Sequence, residues 1–161
     1  MNKRKTINWI ISFPFILVVI GVAFCEVNKA YWDHRVKELC EKDGGVTIYK
    51  KVVISKDNYP NMKFTSAGQP ILPFKSRATG KDPFYRSTTN DSIHKGYLLL
   101  EVRRHEQSIV RALDKKILSK SVHYFRRGGD FPTGIMHPSS YGCKSNEKEL
   151  SEYESVITVE R

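Results

Sequence analysis

Hydrophobic and polar positions along this chain fall into three regimes. Thr6 to Cys25 is a run of twenty residues without a charge. As a helix, twenty residues cover about 30 Å, the thickness of a bilayer's hydrocarbon core. Asn8 and Ser12 lie near its start, where headgroups solvate them, and Trp9 suits the interfacial belt. Pro14 is tolerated in membrane helices better than in soluble ones. The pattern predicts a transmembrane anchor over residues 6–25. Two alternatives use the same residues. A cleaved signal peptide needs small residues before the cut, and Ala23-Phe24-Cys25 ahead of Glu26 matches that poorly. A lipoprotein needs a small residue before its modified cysteine, where Phe24 stands.

Residues 26–43 follow helical spacing, with Trp32, Val36, Leu39 and Cys40 at i, i+4, i+7 and i+8 and charged residues elsewhere. Asp43-Gly44-Gly45 supplies the stop. The prediction is a stalk helix continuing from the anchor and docking its apolar stripe on the domain C-terminal to it.

Beyond Gly45 the period shortens. Val46 to Ile54 alternates as one strand and Tyr97 to Arg104 as another. Ser108–Leu113 and Ile117–Arg126 flank Asp114-Lys115-Lys116 as a hairpin, and a helix over 107–118 is the rival. Pro60, Pro70, Pro73 and Pro83 make 55–91 a long loop, with a short strand at Phe84–Thr89. Gly128-Gly129 ends the second hairpin strand, and 130–143 reads as loop. Ser155–Val159 is a possible edge strand in the tail. The expected fold is α+β: a membrane helix continuing into a stalk, then a small antiparallel sheet domain with long loops.

Residues 26–161 suffice for one domain and not two, which excludes a multidomain enzyme, a solenoid and a polytopic membrane protein. Charge divides the chain further. Of the net +10, residues 1–5 carry +3, 26–43 carry −1, 44–143 carry +10 and the acidic tail 144–161 carries −2. Lys3, Arg4 and Lys5 beside the apolar run predict a cytoplasmic N-terminus and an exported domain. In an oxidising compartment Cys40 and Cys143, the two cysteines beyond the anchor, are expected to pair; two buried thiols are the alternative. The paired bases Lys50-Lys51, Arg103-Arg104, Lys115-Lys116 and Arg126-Arg127 send one charge to each face wherever they lie on a strand. The basic excess fits a solvated surface, or attraction to anionic headgroups, an acidic envelope polymer or an envelope protein partner. No nucleic-acid motif is present.

Catalytic signatures are few. Five histidines match no metal spacing, and zinc-protease, phosphate-loop, dinucleotide and G-x-S-x-G motifs are missing, so no cofactor or metal is expected. Asn90-Asp91-Ser92 matches a glycosylation acceptor. His137 with Ser139 or Ser140 could form a base and nucleophile of a small hydrolase, although adjacency does not aim them, and a capped turn explains the serines as well. Arg126, Arg127, Gly128 and Gly129 could hold an anion between guanidiniums and permissive backbone.

Asp43-Gly44-Gly45 with Tyr49-Lys50, then Val122-His123-Tyr124-Phe125-Arg126-Arg127-Gly128-Gly129-Asp130, then His137-Pro138-Ser139-Ser140 and Cys143 resemble a family of short bacterial membrane-anchored envelope proteins of no established activity. The resemblance spans roughly residues 35–145. It implies a cysteine-bearing helix before the glycine pair, a cysteine-closed loop after the basic hairpin, and a bacterial inner-membrane location with a periplasmic domain. It brings no catalytic residue with it.

Overall fold

One uninterrupted helix, α1 (Lys3–Asp43), carries both the predicted anchor and the predicted stalk. The computed structural model describes residues 3–55, 57–60, 62–66, 68–130, 138–143 and 147–160. The helix passes through Pro14, and its two halves meet opposite surroundings. Phe13 to Phe24 stands bare, with Phe15 71% and Phe24 61% exposed. Its apolar window, of mean hydropathy 1.7, is 6% buried. A core helix of that composition would be covered by protein; this one is left for lipid.

From Cys25 onward one stripe turns inward. Cys25 and Val36 are buried, and Trp32, Leu39 and Cys40 pack with Leu100, Val102, Val122 and Tyr124 of the sheet. The helix ends where its pattern predicts. The Gly44 amide donates to the Cys40 carbonyl at 2.9 Å, and Gly45 adopts φ 103°, which an L side chain rarely takes.

The sheet is built from β1 (Gly45–Ile48), β3 (Phe84–Lys95), β4 (Glu101–Arg111), β5 (Ile117–Arg127) and β6 (Ser140–Gly142), and a separate pair joins β2 (Val52–Ile54) to β7 (Ile157–Val159) in parallel. The main order is β1-β5-β4-β3, all antiparallel, with β6 also on β5. Helix α2 (Glu147–Glu154) packs on β1 and β5. Two cores result. One lies under α1; the other gathers Phe84, Ile109, Leu118, Ile54, Val156, Ile157 and the fully buried Tyr153.

The expected α+β architecture, the continuous helix and the 108–126 hairpin all hold, and the rival helix over 107–118 does not form. Several boundaries need correction. Val46–Ile54 is two strands in two sheets: the amides of Tyr49 and Lys50 both donate to the Leu118 carbonyl, at 2.9 and 3.1 Å, and that shared acceptor ends the ladder. The strand beginning at Phe84 runs on through the polar residues to Lys95. It is an edge strand, exposed over most of its length, so burial imposes no alternation on it. The strand expected from Tyr97 begins at Glu101, because Gly96–Leu100 is a tight turn in which the Gly96 amide donates to the Leu100 carbonyl. Leu98 and Leu99 sit there at φ 56° and 58°. The left-handed conformation costs a non-glycine residue about 1–2 kcal/mol. Within the stretch read as loop, Ser140–Gly142 is a short strand, and the tail holds a helix as well as a strand at Ile157.

Because β5 descends antiparallel to α1, the domain has a near end, beside Lys29, and a far end at the β4–β5 turn. Lys29 meets Asp130, Asp33 meets Arg126, and Asp43 meets Tyr124.

Candidate functional site

Arg126 is the pivot of the near end. It lies on β5 facing α1 and is 3% exposed. Its Nε donates to Asp33 Oδ1 at 2.5 Å, and one terminal nitrogen donates to the Gly128 carbonyl and to Ser139 Oγ. Asp130 accepts from the Ser139 amide at 2.6 Å and from Lys29 at 3.2 Å. Gly128 is required by geometry: at φ 79° a Cβ would stand 2.3 Å from the Leu99 carbonyl oxygen. Arg127, the next residue along the strand, is exposed.

The four residues expected to cradle an anion therefore do not converge on one. Arg126 and Arg127 point to opposite faces, as strand alternation demands. The amides of Gly128 and Gly129 are already given to the Ser139 and Leu98 carbonyls, at 2.9 and 3.1 Å. This motif fastens helix, turn and loop together. Of the expected hydrolytic group, His137 lies outside the described residues. Ser139 receives Arg126, and Ser140 is exposed on β6. Among the described residues no three of His, Cys, Asp and Glu gather to hold a metal.

Above this layer Cys40 and Cys143 form the expected disulfide, with Cα atoms 5.5 Å apart. Higher still, the Tyr124 hydroxyl donates to Asp43 at 2.6 Å, and Arg104 donates to that hydroxyl at 3.1 Å and pairs with Glu106 at 2.6 Å. Lys120 reaches Glu106 at 3.2 Å. The Tyr124 hydroxyl, with Arg104 beside it, holds Asp43 below the ordinary carboxylate range despite burial. Burial works to raise Glu106 and Asp130, but Arg104 and Lys120 outweigh it at the first, and Ser139 and Lys29 at the second.

These depressed carboxylates predict an acid limit. Their folded-state values lie below the unfolded ones, near 4, so their stabilisation is complete above about pH 4–5 and fades as pH falls through the folded values. The melting temperature should be level above about pH 5 and drop below about pH 4, with the drop reduced in Asp43→Asn. A steep fall between neutrality and pH 5 would assign the acid sensitivity to other groups.

The far end has a different character. Tyr59, Met62, Ile71, Pro73 and Phe84 line a cleft of about 350 Å³, and a second of about 580 Å³ adjoins it across Lys81, Pro83 and Phe84. Lys63, Lys75, Arg77 and Lys81 rim the two and are exposed. None of the four lies within ion-pair distance of a carboxylate among the described residues. The acids nearby are committed: Asp82 accepts from the Thr79 amide and hydroxyl, each at 2.7 Å, and Asp114 pairs with Arg111 at 2.6 Å. The sequence reads 55–91 as a long loop, and that reading does not single out these cations. Their signal was present, since no acid falls between Asp57 and Asp82 while four bases do. The partners of the buried network, Asp33 and Asp43, were missed because nothing local ties them to Arg126 and Tyr124.

A bare apolar helix entering a disulfide-closed sheet domain defines a membrane-anchored protein whose domain suits an oxidising compartment. Comparison with family models, with curated proteins and with solved structures finds no match to this chain.

Proposed function

We propose that the protein is a single-pass membrane protein, N-terminus cytoplasmic, whose exported domain binds an anionic envelope polymer at the far-end cleft as an accessory of the envelope. The observation that carries this reading is the rim of Lys63, Lys75, Arg77 and Lys81, four exposed cations with no ion pair among the described residues, around an apolar-floored cleft whose lining carboxylate, Asp82, is held by Thr79. Cations that merely solubilise a surface are usually interspersed with acids. A rim with a cationic excess raises the local concentration of counter-charged ligand and speeds its capture. Lys3-Arg4-Lys5 supports the orientation, and the Cys40–Cys143 bridge supports export. The resemblance of the 122–130 and 137–143 segments to bacterial envelope proteins points to the same compartment.

The test is binding of the full chain in nanodiscs to a fluorescent polyglutamate probe. Lys63→Gln, Lys75→Gln, Arg77→Gln and Lys81→Gln together should weaken binding about tenfold or more near 0.1 M salt, at roughly 0.4 kcal/mol for each exposed charge. Wild-type binding should fall as salt rises. Equal affinity of the two proteins would remove the cleft from the reading. Capture of an envelope protein that the quadruple variant loses, with no polyanion binding by either form, would replace the polymer with a protein partner.

A further inference from the structure

The near end carries a feature that the far-end cleft does not explain. Between β3 and β4 the turn presents Tyr97 and Leu99 to solvent, 81% and 78% exposed, while Leu98 and Leu99 are held in left-handed backbone. Asn and Gly suit that conformation, and an exposed leucine gains nothing from it in water. The turn is pinned at a defined height. Its Leu98 carbonyl accepts the Gly129 amide, and a Cβ on Gly129 would stand 3.2 Å from Lys29 Cγ. His94, at the end of β3, stacks on Trp32 of α1 with ring centroids 4.0 Å apart. Lys29 is four residues beyond Cys25, or about 6 Å along the helix. The turn therefore sits level with the place where the apolar run stops.

We propose that the Tyr97–Leu99 turn is a second membrane contact, seated in the interface of the leaflet from which α1 emerges. This rests on the reading that the apolar half of α1 spans the bilayer. Height selects lipid as the occupant: the turn is tied through Gly129 to the level of Lys29, one helical turn past Cys25, and Val27 and Tyr31 on α1 are 70% and 56% exposed near that level. By helical spacing from Lys29, Trp32 and Val36, which face the sheet, Val27 and Tyr31 fall on the far side of α1, so apolar surface is exposed on both sides of the helix at this height. Tyrosine at headgroup depth and leucine just below it is the distribution that interfaces favour. Lys95 and Arg127, both exposed, flank the turn and suit anionic headgroups. A lone helix leaves a domain free to tilt; a contact beside it fixes which face looks outward.

The test uses the full chain carrying Cys25→Ala with the Cys40–Cys143 bridge intact, reconstituted in phosphatidylethanolamine and phosphatidylglycerol vesicles. A nitroxide is placed singly through Leu99→Cys, Tyr97→Cys, Phe15→Cys and Leu113→Cys, the last at the far-end turn, where the leucine is 92% exposed. The readout is relaxation by oxygen relative to a water-soluble nickel chelate. Labels at 97 and 99 should give a ratio several-fold above that at 113 and below that at 15. Labels at 97 and 99 as aqueous as 113, with 15 at bilayer depth, would overturn this contact and leave the anchor standing. An aqueous reading at 15 would overturn both. Labels at 97 and 99 shielded from both reagents, in vesicles and detergent alike, would replace lipid with a protein cover.

Discussion

Replacing both Cys40 and Cys143 with serine is expected to lower the unfolding free energy by about 2–5 kcal/mol. The bridge joins residues 103 positions apart, for which the chain-entropy model gives up to roughly 4–5 kcal/mol. Its position adds a native-state contribution. The Cys143 amide donates to the Tyr124 carbonyl at 3.0 Å, and the Tyr124 amide points to Cys143 Sγ at 3.2 Å, so the bridge continues the β5–β6 ladder into the helix. Urea unfolding of the full chain in detergent, followed by circular dichroism with and without reductant, measures the effect. Wild type under reductant should match the double serine variant. An unchanged midpoint would mean that polar docking alone holds α1 to the sheet.

The second large effect is Arg126→Ala, expected to destabilise by about 3–5 kcal/mol, the range for breaking a buried ion pair from one side. The guanidinium lost is 3% exposed and serves Asp33, Gly128 and Ser139 together. Its removal strands a carboxylate, a carbonyl and a hydroxyl in a tight junction. Asp33→Asn should cost less, because that carboxylate is 31% exposed and water can take over part of its role. Combining Asp33→Leu with Arg126→Met should recover much of the loss, since well-packed apolar pairs often match the ion pairs they replace. The same urea titration decides it. Arg127→Ala is the control, its side chain being solvated, and it should fall within about 0.5 kcal/mol of wild type. A loss as large at Arg127 would refute the assignment of Arg126 as the inward-facing member.

Periodicity made the long elements legible. The 26–43 stripe docks as its spacing requires, and the β4–β5 hairpin forms where Val122, Tyr124 and Phe125 outweigh helical spacing. What stayed illegible has two physical causes. Where only one side of a strand pairs and neither face is covered, as in most of β3, no hydrophobic pattern is selected. Where a turn uses leucines in place of Asn or Gly, as at Leu98-Leu99, the usual turn signal is missing. The disulfide was readable by counting, because Cys40 and Cys143 are the two cysteines beyond the apolar run. The basic cleft was readable only as a region: its four cations are spread over nineteen positions, and folding of the 55–83 segment against Phe84 is what gathers them. Arg126 looked like a ligand-binding group from its neighbours in sequence and proved to be occupied by a residue 93 positions away.

That α1 is one rod from apolar segment to sheet has a mechanical consequence. From Cys25 to Asp43 the helix rises about 27 Å, and β5, clamped to it at Arg126 and Tyr124, extends beyond that reach toward Ile117. With no hinge between bilayer and domain, the cationic rim stands off the membrane by a set height, on the order of 30 Å. On the proposed reading the protein acts as a depth gauge: a ligand of the rim would be selected by altitude above the lipid as well as by charge, and a tilt of the apolar segment would move the rim in proportion.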